Sequence, residues 1–256
     1  MPIFRADSKP APTADFRHQV ELSPELRGLH LHCGVAPLPA SHGFVLAEPD
    51  SPVFEPEQDN LGTAVAFLET ALLADGQEHY RDEVLRFCAQ HPDALHRSCL
   101  DGHLTASAYV VDLDREAVAL IHHRKLGSWL QPGGHADGEG NLALVARTEV
   151  REEIGLEALH WALPAFDLNV HPIPARGAEP EHLHLDLRFL AIATHRQELV
   201  ADAAETRGAA WIDQTDPRFK HVGDVAAAGR RALDLARALR PGALPNTGLT
   251  LQDARS

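Results

Sequence analysis

Residues 129–156 read Trp129-Leu-Gln-Pro-Gly-Gly-His-Ala-Asp-Gly-Glu-Gly140, then Asn141-Leu-Ala-Leu-Val-Ala-Arg-Thr-Glu-Val-Arg-Glu-Glu-Ile-Gly-Leu156. The first half is not expected to be regular structure, because Gly133 and Gly134 permit positive φ and a close approach of the main chain. Asn141 is a good N-cap for a helix through Ile154. Gly155 suits the left-handed position that ends such a helix. Along it, Ala143, Ala146, Val150 and Ile154 form an apolar stripe at helical spacing. Beside the stripe lie Glu149, Glu152 and Glu153, which at roughly 100° per residue share an arc of about 100°. Three carboxylates so placed repel one another unless a cation sits among them. Hard oxygen ligands of this kind suit Mg²⁺ or Mn²⁺. On the carboxylates alone, a solvated acidic face is the commoner reading. The glycine loop directly before the helix moves the balance toward metal binding.

Together, loop and helix resemble the signature of the Nudix hydrolases. That box is a glycine, five residues, a glutamate, seven residues, then Arg-Glu-apolar-x-Glu-Glu-x-Gly-apolar. Gly134 matches the first glycine, and Glu149, Val150, Glu152, Glu153, Gly155 and Leu156 match the second half. The stretch from about 60 to 240 also resembles a bacterial Nudix subgroup in which Gln-Pro-Gly-Gly-His precedes the helix. Residues 1–58 fall outside the resemblance. It implies a Nudix-type α/β/α sandwich with a mixed β-sheet, preceded by an irregular Pro-rich extension. It implies divalent-metal-dependent hydrolysis of a phosphate anhydride in a nucleoside diphosphate linked to another moiety, with Mg²⁺ or Mn²⁺ as cofactor. By position, Glu149 and Glu153 would ligate metal, the Gly133 carbonyl would complete the site, and Glu152 would ligate or orient water. In this family the base is a box glutamate or a glutamate in a later loop. Glu205, six residues before Trp211, is the best loop candidate, an exposed loop acid being the other reading.

Two positions depart from the box. Gly140 stands where the upstream glutamate is expected, with Glu139 adjacent, and Thr148 stands where the arginine is expected, with Arg147 adjacent. One residue turns a helical side chain by about 100°, so Arg147 cannot simply substitute. In the family that arginine helps hold the carboxylates. A second class of function therefore stays open: a module that binds a nucleotide-like ligand without cleaving it.

Outward from the box, Ala64, Phe67, Leu68, Ala71 and Leu72 recur at helical spacing behind the N-cap Asn60, and Gly76 closes that segment. A second helix is predicted over 78–89, with Val84, Leu85 and Cys88 inward, ended by His91-Pro92. Residues 105–113 (TASAYVVDL) read as a strand, 112–115 as a turn and 117–122 as the return strand. Further strands are predicted over 160–171, 183–193 and 209–213, and a last helix over 224–239. Strands and helices alternate with hairpins among them, as in an α/β fold with a mixed sheet. His182-Leu-His-Leu-Asp-Leu-Arg-Phe189 alternates polar and apolar, which puts His182, His184, Asp186 and Arg188 on one face. That face is either solvated or borders a substrate cleft, with His182 and His184 on metal or substrate, Arg188 on a phosphate and His135 reaching the same place.

The 256-residue chain is 23% charged and 44% hydrophobic, ordinary for a globular protein, and carries a formal net charge of −14. Such a surface disfavours nucleic acid and anionic membrane as partners, and a small-molecule diphosphate would need metal or placed cations. Nine of the 18 prolines fall in the first 60 residues. Residues 1–58 are therefore read as an irregular arm, in which 43–47 is a candidate strand, 59–242 as the main domain and 243–256 as a tail. His30, His32 and Cys33 invite a metal reading, against which stands an ordinary strand end. Three widely spaced cysteines without a CxxC pair argue against a disulfide framework or a thiolate zinc site and suit the cytoplasm. Residues 1–12 lack the apolar run of a signal peptide, and no run of about 18 apolar residues is present. A histidine-based zinc hydrolase lacks HExxH-type spacing. The 17 histidines are either compositional or solvated surface, or some of them line a polar pocket or bind metal. The substrate's flanking group and the oligomeric state, a homodimer included, stay open.

Overall fold

The computed structural model describes residues 43–220 and 223–239. Most of the proline-rich arm, including His30, His32 and Cys33, and the tail 243–256 lie outside the described residues. The elements run β1 (Val45–Ala47), a 3-10 turn (Pro52–Phe54), α1 (Leu61–Thr70), α2 (Glu78–Gln90), β2 (Gly102–Asp112), β3 (Ala117–His123), β4 (Trp129–Leu130), β5 (Gly133–His135), α3 (Leu142–Ile154), β6 (Leu159–Ile173), β7 (His182–Ala193), β8 (Thr206–Asp213), α4 (Pro217–Lys220) and α5 (Gly223–Ala238).

The strands form one eight-stranded sheet in the order β1-β6-β7-β2-β3-β4, with β5 also pairing β2 and β8 pairing β3. β2 and β7 run parallel, from Gly102↔Leu183 to Val111↔Ile192. The other named pairs are antiparallel, so the sheet is mixed. Every residue of β2 is buried, as expected of a strand covered on both faces. On one face Leu104, Ala106, Ala108, Leu185, Leu187 and Phe189 pack with Phe67 and Leu68 of α1, Val84 and Cys88 of α2, and Ala143, Ala146, Val150 and Ile154 of α3. On the other, Tyr109, Val111, Val118, Leu120 and Ile192 pack with Phe219 of α4 and Ala228, Ala232, Leu233 and Ala236 of α5. Helices thus cover both faces of an α/β/α sandwich. No helix among the described residues is long and apolar enough to cross a membrane.

The predicted irregular loop 129–140 is overturned in part. Trp129 and Leu130 pair with His122 and Ile121 of β3, and Gly133, Gly134 and His135 pair with Ser107, Ala106 and Thr105 of β2. The glycines allow this pairing rather than prevent it. A Cβ on Gly133 would lie 2.3 Å from the Ser107 Cβ, so a side chain there would push the short strand away.

Residues 43–58 are fastened to the sheet. β1 pairs with β6, Phe54 meets Trp161 edge-on at 5.8 Å, and Gln58 bridges Glu139. α3 begins at Asn141, whose side chain accepts from the Leu144 N–H, and ends at Gly155 with φ +70.

Candidate active site

Near Tyr109 and Val111 the sheet face under α5 is apolar. Farther toward the start of β2 and β7 the same face carries Thr105, Ser107, His184, Asp186 and Arg188. α5 begins at Gly223 and its first turn borders this region, so the polar part of the sheet floors a cleft of about 700 Å³. That volume falls within the range of small-ligand sites. Gly133, Gly134 and His135 of β5, Glu149, Glu152 and Glu153 of α3, His184 and Arg188 of β7, and Glu205 ahead of β8 all line it. These sequence-derived candidates therefore meet at one place, although their positions span more than 70 residues of chain.

The three box carboxylates differ in depth. Glu153 is buried, and its Oε2 accepts the Gly133 N–H at 3.0 Å. Glu149 is half-buried against β5, where a Cβ on Gly134 would lie 2.2 Å from its Oε1. Gly134 thus leaves the space that the Glu149 carboxylate fills. Glu152 is exposed, with Arg151 Nη2 3.7 Å from its Oε1. Burial pushes the Glu149 carboxyl up to about 7, with repulsion from Glu152 and Glu205 added. Burial likewise raises Glu153 to about 8, against the Gly133 hydrogen bond and with help from Glu149 and Glu205. Carboxylates crowded this way hold protons at neutral pH unless another cation replaces them. A divalent metal fits this donor set: partly buried oxygens, mutually repelling, beside a glycine-backbone wall.

Arg97 joins the rim, a residue the sequence reading missed. It is paired through Nε and Nη2 with Asp137 at 2.7 and 2.6 Å. Its positive charge also acts on Glu149. Lys125 lines the cleft as well. Both lie in segments without periodicity or motif, so only the fold brings them to the cleft.

Arg188 sits among carboxylates. It faces the cleft but is not a free phosphate hook. Nε donates to Asp186 at 2.9 Å, and Nη1 donates to Asp167 at 3.2 Å and to Asp224 at 2.6 Å. Asp167 is fully buried and also pairs with Arg231. Asp186 in turn accepts from Thr105 Oγ1 at 3.1 Å, Ser107 Oγ at 2.8 Å and Gln131 Nε2 at 3.4 Å. The strand alternation told which face Arg188 lies on. It could not tell that three aspartates from β6, β7 and α5 surround it.

The two departures from the box have structural counterparts. Glu139 is buried, and its carboxylate accepts from the N–H of Glu57 at 2.7 Å, the N–H of Asn141 at 2.8 Å and Gln58 Nε2 at 2.8 Å. It ties the segment before α1 to the start of α3 instead of facing the cleft. Gly140 sits against that segment, where a Cβ would be 2.2 Å from the Asn60 carbonyl oxygen and 2.8 Å from that of Glu57. No side chain fits there. Arg147 lies with its guanidinium 4.7 Å from the Phe54 ring centre, pointed at the same segment.

Residues 102–232 match the family model of the NUDIX domain. No curated protein sequence matches the chain. Among solved structures, a NUDIX-family hydrolase from Clostridium perfringens is 21% identical, with TM-score 0.39, over 52% of this chain and 97% of that one. The Escherichia coli dihydroneopterin triphosphate pyrophosphohydrolase is 16% identical, with TM-score 0.44, over 52% and 96%. The NUDIX domain of Shewanella oneidensis NrtR, solved with ADP ribose, is 18% identical, with TM-score 0.35, over 53% and 86%. The family assignment rests on the 102–232 match.

Proposed function

The chain belongs to the Nudix family, and from that premise we propose that it hydrolyses a phosphate anhydride in a nucleoside diphosphate linked to a second moiety, using Mg²⁺ or Mn²⁺. The observation that carries this reading is the meeting of Glu149, Glu152, Glu153, Glu205 and the Gly133–His135 strand around one cleft. Glu149, Glu152 and Glu153, with the Gly133 carbonyl, would hold the metal. When bound, a divalent cation neutralises diphosphate oxygens and makes water a better nucleophile.

The chain's own residues do the rest. The Gly133 N–H fixes the Glu153 carboxylate at 3.0 Å, so this ligand is oriented before substrate arrives. Glu205, on the exposed lip of the cleft, is placed to accept a proton from attacking water. Glu152, also exposed, is the alternative acceptor. Lys125 supplies positive charge at the rim for an anionic substrate in an otherwise acidic cleft. His135 and His184 border the same space.

The second reading, binding without cleavage, draws on one observation: Thr148 offers no guanidinium to the carboxylates, and Arg147 is turned to Phe54. A panel of nucleoside diphosphate compounds assayed with Mg²⁺ and with Mn²⁺ separates the two. Turnover by the wild type that disappears in a folded Glu153→Gln variant supports hydrolysis, and Glu205→Gln is expected to lose about 100-fold in kcat. Unchanged turnover in Glu153→Gln would sink the assignment. Saturable ligand binding with no released phosphate or nucleoside monophosphate would favour the non-cleaving module.

A further inference from the structure

Beside the carboxylates, and made from none of them, lies a nest of imidazoles. His103 of β2 is 4.9 Å from His182, 5.0 Å from His184 and 4.9 Å from His135, ring centre to ring centre. His135 and His184 are 4.8 Å apart, and His182 and His184 are 5.2 Å apart. The parallel register of β2 and β7 sets His103 directly beside His184, and the β2–β5 pairing sets His135 beside Thr105. One ring nitrogen from each of His103, His182 and His184 lies within 4.8 Å of the other two.

Two of these side chains carry an unexplained atom. His103 and His182 are 2% and 4% exposed, and the Nε2 of each is buried without a hydrogen-bond partner. The nearest anionic oxygen to His182 Nε2, Glu179 Oε1, is 3.8 Å away, beyond hydrogen-bond reach. The other ring nitrogen is accounted for in both. His182 Nδ1 faces the Pro180 carbonyl oxygen at 2.9 Å, and His103 Nδ1 faces that of Cys99 at a longer 3.5 Å. A carbonyl can only accept, so Nδ1 carries the proton and Nε2 presents a bare lone pair. Imidazoles that ligate metal are oriented in the same way, through the nitrogen that does not ligate. A buried polar atom left without a partner is costly, and here two such atoms lie in one nest.

We propose that His103, His182 and His184 bind a late first-row divalent cation of the zinc type, at a site separate from the Glu149, Glu152 and Glu153 carboxylates. Imidazole suits Zn²⁺ and its neighbours in the series, whereas Mg²⁺ demands oxygen. Tetrahedral zinc with nitrogens at 2.0–2.1 Å spaces its ligands about 3.4 Å apart, so rings already within 4.8 Å need only small rotations. His135 Nε2 stands 3.2 Å from His184 Nε2, a ligand-to-ligand spacing, and would take the fourth position or leave it to water from the cleft. The cation would tie β7 to β2 and, through His135, to the strand that carries Gly133 and Gly134.

The test uses the full chain stripped with chelator and titrated with Co²⁺ and Zn²⁺ in excess Mg²⁺. We expect one equivalent of Co²⁺ with the intense visible bands of a four-coordinate nitrogen site, displaced by Zn²⁺. We expect at least about tenfold weaker binding in His103→Gln and in His184→Gln, with Glu153→Gln unaffected. Zinc should also raise the melting temperature in Glu153→Gln. The proposal is overturned if no Co²⁺ is retained against Mg²⁺, if the bands are the weak ones of a six-coordinate oxygen site, or if Glu153→Gln loses the ion while folded histidine variants keep it. Should both histidine variants fail to fold, the wild-type cobalt spectrum decides between nitrogen and oxygen ligation. None of these readouts depends on hydrolysis, so the site stands or falls apart from the proposed activity.

Discussion

Gly140 is a single residue whose identity follows from its neighbours. The family box expects a glutamate there, and the chain instead brings residues 57–60 across the start of α3. The Asn60 carbonyl oxygen would sit 2.2 Å from a Cβ at position 140, and that oxygen belongs to backbone at the first turn of α1. The displaced acid function reappears one residue earlier as Glu139, whose three hydrogen bonds hold the crossing segment. Gly140→Ala is expected to destabilise by about 1–3 kcal/mol, the usual cost of overpacking. Urea unfolding measures it, and a midpoint equal to the wild type would show that the segment yields freely. Restoring the box with Gly140→Glu should therefore harm the protein, not improve it.

Within β7, the alternating run 182–189 was legible as a strand with one apolar and one polar face. Leu185, Leu187 and Phe189 do enter the core. The polar face is not solvated, however, and its residues do two jobs. His182 and His184 join the imidazole nest, while Arg188 pairs with Asp167, Asp186 and Asp224. Removing Arg188 would leave Asp167 and Asp186 buried with less compensation. Arg188→Ala is accordingly expected to cost about 3–5 kcal/mol of stability. Arg188→Lys should recover little of it, because a single ammonium cannot replace a forked guanidinium. A normal melting temperature combined with a raised KM in Arg188→Ala would restore the direct phosphate contact read from the sequence.

For the whole molecule, the cleft makes stability depend on pH from both sides. Glu149 and Glu153 are raised from about 4.5 to about 7 and about 8. The folded state then binds more protons than the unfolded chain across that window, so stability falls as pH rises through it. His135 and His184 are lowered from 6.5 to about 4 and about 2, by burial first. Below 6.5 the unfolded chain binds more protons, so stability also falls as pH drops from there toward 4. Metal-free protein should thus be most stable between roughly pH 5 and 6.5. Mg²⁺ or Mn²⁺ bound at the carboxylates removes the loss on the alkaline side. Melting curves with and without Mg²⁺ should show a larger upward shift at pH 8 than at pH 5.5, where the ion competes with protons. Equal shifts at both values would mean that these carboxylates are not where the ion binds.

The sequence by itself determined the elements and the family signature carried on α3. Apolar periodicity placed α1, α2, α3, α5 and the long strands, and the spacing of Gly134, Glu149, Glu152, Glu153 and Gly155 identified the family, because such patterns are local and survive in one dimension. Tertiary structure alone decided which polar groups meet. β5 exists because Gly133 and Gly134 can lie against β2, a fact about two distant segments. The partners of Arg188 come from β6, β7 and α5, and those of His103 from β5 and β7. A side chain's partners, and hence whether its charge is free, spent in an ion pair or waiting for a metal, depend on distances across the sheet that no spacing along the chain contains.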